Sequence, residues 1–166
     1  MSIDDNELPK ATVVLFQGPD ALTEARDEAL RICPDGPVCY QPGAPDCDGA
    51  LFGQLDPVHD DSQALVYTPG EIMRAERGVL ILTDMPRFSL DTLERIGKAW
   101  RVGAITVRRE RAMMCAGVAP FELIVTAASC GCGFTAAGFA CACSEQALEE
   151  YKDHVSRCLE AIGGMI

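Results

Sequence analysis

Three apolar runs limit what this chain can fold into more than any other feature. Residues 12–17 (TVVLFQ), 79–83 (VLILT) and 121–127 (FELIVTA) are hydrophobic almost throughout and rich in β-branched side chains. Runs this short, without strict polar alternation, predict strands covered on both faces. Gly18-Pro19-Asp20 interrupts the first run. Residues 21–32 then predict a helix, with Ala21, Leu22, Ala25, Ala29, Leu30 and Ile32 as its apolar positions. Strand, glycine turn and helix open a βαβ unit. The expected fold class is therefore α/β, a three-layer domain with a parallel central sheet.

The remaining segments fill in that frame. Residues 34–70 are rich in Gly, Pro and Asp and are expected to be loop-dominated, with a short strand at 38–41 and a short element around 50–55. A short helix is expected at 71–76, and Met85-Pro86 ends the second apolar run. Ser89 suits the N-cap of a helix over 90–101, whose apolar face would be Leu90, Leu93, Ile96 and Trp100. Alternation over 104–109 predicts one strand of a hairpin, and a helix is expected over 144–161. Residues 1–10 read as a loosely attached tail, and 11–166 as one domain with a cysteine-rich loop at 129–143.

Charge narrows the function classes. Asp and Glu number 25 against 14 Lys and Arg, a net charge of −11. Such a surface repels phosphate backbones and argues against nucleic acid as a partner. Arg101, Arg108, Arg109 and Arg111 come nearest to a basic cluster, and are expected to form a solvated face. No apolar run reaches the roughly 18–20 residues of a membrane span. The acidic start MSIDDNELPK is the opposite of a basic signal peptide, so a cytoplasmic protein is expected.

Nine cysteines are many for such a chain, but the odd count and the missing export signal argue against a disulfide framework. Cys33, Cys39, Cys47, Cys115 and Cys158 are scattered. The other four form two tight pairs, Cys130-x-Cys132 and Cys141-x-Cys143, separated by eight residues that include Gly133 and Gly138. Two close pairs across a flexible loop can wrap a tetrahedral zinc ion. Free or reactive thiols, disulfides and an iron–sulfur cluster stay open on spacing alone. The set contains no histidine and leaves no open position, so a zinc ion here would be structural. His59 and His154 stand apart and are expected to be ordinary surface residues.

Three ordered segments carry a family likeness. VVLFQGPDALTEA places a strand, a Gly-Pro loop and a helix where P-loop ATPases carry GxxxxGK[ST]. Residues 69–96, PGEIMRAERGVLILTDMPRFSLDTLERI, resemble the second-motif region of magnesium-chelatase-like AAA+ ATPases. There, PGEI, a helix and RGVL lead into a strand ending in Asp-Glu. Residues 120–133, PFELIVTAASCGCG, are similar to the strand of the competence-type branch that ends in Asn-Pro before a CPCG-like loop. ACACSEQALEEY, residues 140–151, looks like the second Cys-x-Cys of that branch and its following helix. The likeness spans roughly residues 12–160 and adds weight to zinc at the four cysteines.

The resemblance implies a P-loop NTPase-like core in a ring-forming AAA+ protein that spends ATP hydrolysis on remodelling a partner. It also implies a helical lid, which these 166 residues are not expected to include. Carried over residue by residue, the nucleotide site is altered at most positions. A phosphate loop needs glycines for backbone approach, a Lys on the β- and γ-phosphates and a Ser/Thr on Mg²⁺. Counting from Gly18, the second glycine position is Thr23, the Lys position is Glu24 and the Ser/Thr position is Ala25. Thr83-Asp84 stands where the family has Asp-Glu, and Ala128 replaces the Asn that senses the γ-phosphate. Ala161 matches the position of the arginine that reaches a neighbour's nucleotide.

Charge reversal at the Lys, with loss of metal ligation and of both sensors, argues against ATP and Mg²⁺ as cofactors. The expected protein is a pseudo-ATPase that acts by binding another protein, such as an intact AAA+ relative. Two rivals stay in view. One is an ATP-binding chaperone in which Arg26 or Lys10 replaces the lost Lys. The other is a thiol-based metal or redox protein on an AAA+ scaffold.

Overall fold

A computed structural model describes residues 13–59, 64–133, 135 and 138–163. The expected tail at residues 1–10, Lys10 included, lies outside the described residues. Strand β1 (Val14–Gln17) leads through the Gly-Pro turn into α1 (Ala21–Ile32), and β2 (Val38–Pro42) follows. Next come α2 (Asp48–Phe52), a hairpin of β3 (Gln54–Pro57) and β4 (Leu65–Thr68), and α3 (Glu71–Arg74). Strand β5 (Val79–Thr83) ends in a 3-10 turn at Met85–Arg87 before α4 (Leu90–Val102). A second hairpin, β6 (Ala104–Arg109) and β7 (Ala112–Gly117), precedes β8 (Glu122–Ala127) and α5 (Glu145–Ile162).

The central sheet is parallel, with strand order β1-β8-β5-β2. Its two inner strands explain the apolar runs. In β5, Val79 and Ile81 pack with Ile124 of β8 against Ala25 and Ala29 of α1. Leu80 and Leu82, with Leu123 and Val125, project to the other face and join Leu93, Ile96 and Trp100 of α4 and Val155, Leu159 and Ile162 of α5. Helices thus cover both faces, giving three layers. Each fully buried Leu or Ile contributes about 1.5–3 kcal/mol relative to exposure, so these two strands dominate the core.

Several expectations are corrected. β1 lies at the sheet edge, so Val14, Leu15 and Phe16 are half-buried and not covered on both sides. The small face of α1, its alanines, meets the sheet, whereas Leu22 and Leu30 are 50% and 47% exposed. Leu90 likewise sits outside the buried face of α4, at 38% exposure, whereas Leu93 in the same turn is fully buried. The region 34–70 holds its expected strand and, near the short element expected around 50–55, a helical turn at Asp48–Phe52; the β3–β4 hairpin was not expected. All four residues of the arginine group are exposed, as expected of a solvated face, and Arg101 also donates to the Ile162 carbonyl and Arg109 to that of Leu55. Among the described residues, no helix is long and apolar enough to cross a membrane.

Candidate functional site

The parallel strands β1, β5 and β8 end on one side of the sheet, where open α/β sheets place their binding crevices. A cleft of about 460 Å³ lies there. Its floor is Gly18 and Pro19 after β1, Thr83 and Asp84 after β5, and Thr126, Ala127 and Ala128 at the end of β8. Tyr151 and His154 of α5 form one wall, with Cys130, Gly131, Gly133 and Thr135 at the rim.

Four of the seven positions expected at a nucleotide site therefore line one cleft: Gly18, Thr83, Asp84 and Ala128. Gly18 holds a φ of 121° and donates its N–H to the Ala127 carbonyl at 3.1 Å, which fixes the turn against β8. Asp84 is left-handed at φ 56°, and its N–H donates to Thr126 Oγ1 at 3.1 Å. Its carboxylate lies 3.8 Å from Arg87. Thr23, Glu24 and Ala25 are placed elsewhere. α1 begins at Ala21, three residues after Gly18, so these positions lie inside the helix. Thr23 and Glu24 face solvent, and the Glu24 N–H is already donated to the Asp20 carbonyl at 3.0 Å. Ala25 is fully buried against Ile81 and Ile124. Among the described residues lining the cleft there is no lysine, and Asp84 supplies the one carboxylate.

The cysteine pairs do meet in space. The Cys130 Sγ lies 3.1 Å from that of Cys132 and 3.3 Å from that of Cys141, and Cys132 and Cys141 are 4.0 Å apart. All four sulfurs, that of Cys143 included, fall within 4.8 Å of one another. Sulfurs at tetrahedral corners about 2.3 Å from a zinc ion stand about 3.8 Å apart, so the observed spacing suits a single ion. Cys130 is buried at the end of β8, Cys132 and Cys143 are half-buried, and Cys141 is exposed. The Cys143 N–H points at the Cys141 sulfur, 3.4 Å away, as a donor to a thiolate would.

Desolvation first, then hydrogen bonds to Cys132, Cys141 and Cys130, push the Cys143 thiol up to about 12. Four neighbouring thiolates cannot all be charged without a positive partner, and a divalent ion reverses that balance. The donor set is all sulfur, which selects soft, tetrahedral metals. The cluster is thus a candidate site for a metal ion.

Two wall residues escaped the reading of the sequence. Tyr151 donates its hydroxyl to the Ala128 carbonyl at 3.1 Å. His154 was expected at an ordinary surface position but is half-buried, with Nε2 2.9 Å from the Pro86 carbonyl. A carbonyl cannot donate, so Nε2 carries the proton. His59 is exposed, as expected. The signal for the wall was periodicity: residues 151, 154, 155, 158, 159 and 162 share one helical face.

No curated protein matches the chain. The family model described as "Magnesium chelatase, subunit ChlI" matches residues 62–161. That stretch runs through β5, α4 and β8 to the cysteine pairs and nearly all of α5, but leaves out β1 and α1. With three-fifths of its length matched, over β5, β8 and all four paired cysteines, the chain belongs to the family of the magnesium chelatase ChlI subunit.

Proposed function

We propose that this domain is a pseudo-ATPase, a non-hydrolysing member of its family that acts by binding, with a structural zinc ion stapling the 129–143 loop over the cleft. The start of α1 at Ala21 carries this reading. It commits the Glu24 amide to the helix and turns Ala25 into the core. At the phosphate-loop positions a triphosphate would therefore meet neither a lysine nor a metal-holding hydroxyl. The exposed α1 N-terminus favours an anion by about 0.3–1 kcal/mol; of the charges lining the cleft Asp84 opposes one, and Arg87 lies 3.8 Å from that carboxylate. Thr83 and Ala128 supply neither a carboxylate for Mg²⁺ nor an amide for the γ-phosphate.

Four thiolates at tetrahedral spacing, with no histidine and no open position, support zinc in a structural role. The binding partner in this reading is another protein, an AAA+ relative with an intact nucleotide site whose ring this subunit joins in the cytoplasm. The test is direct. Purified protein should turn over no ATP above a buffer blank, and Mg-ATP should not raise its melting temperature. A ligand at a hundred times its Kd stabilises by about 2.7 kcal/mol, a shift easily seen. Turnover that Asp84→Asn abolishes would overturn the pseudo-ATPase reading.

A further inference from the structure

A second cleft, of about 910 Å³, lies between α4, the turn from α2 into β3, and β6. Every residue of β6 from Ala104 to Arg109 lines it, and none of β7 does. β6 pairs with β7, and no third strand joins that sheet among the described residues. The hairpin closes over Glu110 and Arg111, with Arg109 opposite Ala112. In a two-residue hairpin the closing pair is hydrogen-bonded, and such pairs recur at every second residue. Ile105, Val107 and Arg109 thus give their backbone groups to β7. Ala104, Thr106 and Arg108 direct theirs away from β7. An open edge of this kind is a template for another strand.

The walls add charge. Arg95, Lys98, Arg108 and Arg109 line the cleft against a single lining carboxylate, Asp48. Arg95 pairs with Asp48 and stacks 4.1 Å from the centre of the Phe52 ring, while Arg109 lies 3.7 Å from Asp56. Lys98 and Arg108 pair with no carboxylate among the described residues. On a chain of net charge −11 this is a local reversal of sign.

We infer that β6 is a docking edge for an extended acidic segment of a partner protein. The segment adds a third strand to the β6–β7 ribbon and sets its carboxylates against Lys98 and Arg108. Backbone pairing is what a peptide offers an open edge, and the acidic remainder of the surface opposes nucleic acid. The inference rests on the reading of the domain as a binding subunit and names the surface through which it binds.

The probe is a fluorescein-labelled ten-residue peptide of alternating Glu and Thr, titrated against the full chain by anisotropy. Saturable binding that weakens with salt is expected. Lys98→Glu with Arg108→Glu should weaken it by about tenfold or more, whereas Arg111→Glu, outside the cleft, should not. Amide exchange at Thr106 and Arg108 should slow in the complex. A peptide with proline at alternate positions lacks the N–H groups for pairing and should not bind. The inference is overturned by absent binding, by an unchanged affinity in the double variant, or by equal binding of the proline peptide. Tighter binding of a ten-nucleotide DNA strand would overturn it in favour of nucleic acid. A gain in affinity on deleting residues 2–12 would overturn it in favour of the chain's own acidic tail. ATP turnover, measured on the same samples, reads the other cleft alone, so failure of the pseudo-ATPase reading is told apart from failure of the docking edge.

Discussion

Tyr151 donates its hydroxyl to the carbonyl of Ala128 at 3.1 Å, joining α5 to the end of an inner strand beside Cys130. The same carbonyl accepts from Gln17 Nε2 at 3.1 Å. One acceptor therefore ties β1, β8 and α5 together at the cleft. Tyr151→Phe keeps the ring and removes one of two donors, so the carbonyl is not left bare. The expected loss is about 0.5–1.5 kcal/mol, toward the lower end, read as a lower urea midpoint.

The same residue predicts a pH dependence. Burial above all, then the negative charge of Asp84 and of Cys130, pushes the Tyr151 hydroxyl from 10.0 up to about 12. The fold thus prefers the neutral phenol. Its stabilising effect is complete below pH 10 and is lost as pH rises from 10 through 12. Unfolding midpoints measured across that window should fall more steeply for the wild type than for Tyr151→Phe. Parallel curves would show that Tyr151 titrates normally.

Gly97 predicts a larger effect. A Cβ at this position in α4 would lie 2.1 Å from the Ile162 carbonyl oxygen, so the glycine lets α4 and α5 cross closely. Gly97→Ala gains about 1 kcal/mol of helix propensity. Yet it forces α5 outward from the core that Val155, Leu159 and Ile162 fill. Overpacking of that kind costs about 1–3 kcal/mol, and the net change should be destabilising in urea. A stabilised variant would mean that the helices separate freely.

What was legible in the sequence was what local pattern dictates. The run at 79–83 and the helix at 21–32 fall where the structure has them, because unbroken apolar character and an alanine face each favour one answer. The four cysteines were legible because each pair is locked together by a single intervening residue. Position across the sheet was not legible: nothing in TVVLFQ says that its strand sits at an edge. The β3–β4 hairpin was hidden because its strands are four residues long and Leu65 and Val66 are exposed, which leaves no inward run to detect. His154 was missed because its partner, the Pro86 carbonyl, is distant in sequence.

The burial of Ala25 tests whether family-like phosphate-loop residues can be accommodated in α1. Ala25 is fully buried against Ile81 and Ile124. Ala25→Thr adds a methyl and a hydroxyl where neither has room, and the expected cost is about 1–3 kcal/mol. Glu24 is exposed, so Glu24→Lys alone should leave the urea midpoint nearly unchanged. The pair together should restore no ATP turnover, since neither side chain is aimed at the cleft. Turnover in the double variant would show that α1 unwinds to form a phosphate loop.

The candidate metal site gives the last prediction. Cys130 is buried at the end of β8, but Cys141 is exposed and Gly133 and Gly138 have open space around them. Phe139 is 69% exposed, so packing does little to hold this loop. A metal ion is what would order it. Protein prepared without chelator should carry about one zinc ion per chain by elemental analysis, as a four-ligand site requires. Replacing Cys130, Cys132, Cys141 or Cys143 with Ser should release it, whereas Cys33→Ser and Cys115→Ser should not. Affinity should fall as pH falls, because protons compete with the ion for the thiolates. The central sheet is packed independently of the loop, so the metal-free domain should stay folded by far-UV circular dichroism. Limited proteolysis should then cut within residues 129–143 and spare α5. A protected loop in protein stripped of metal would identify the four cysteines as packed thiols.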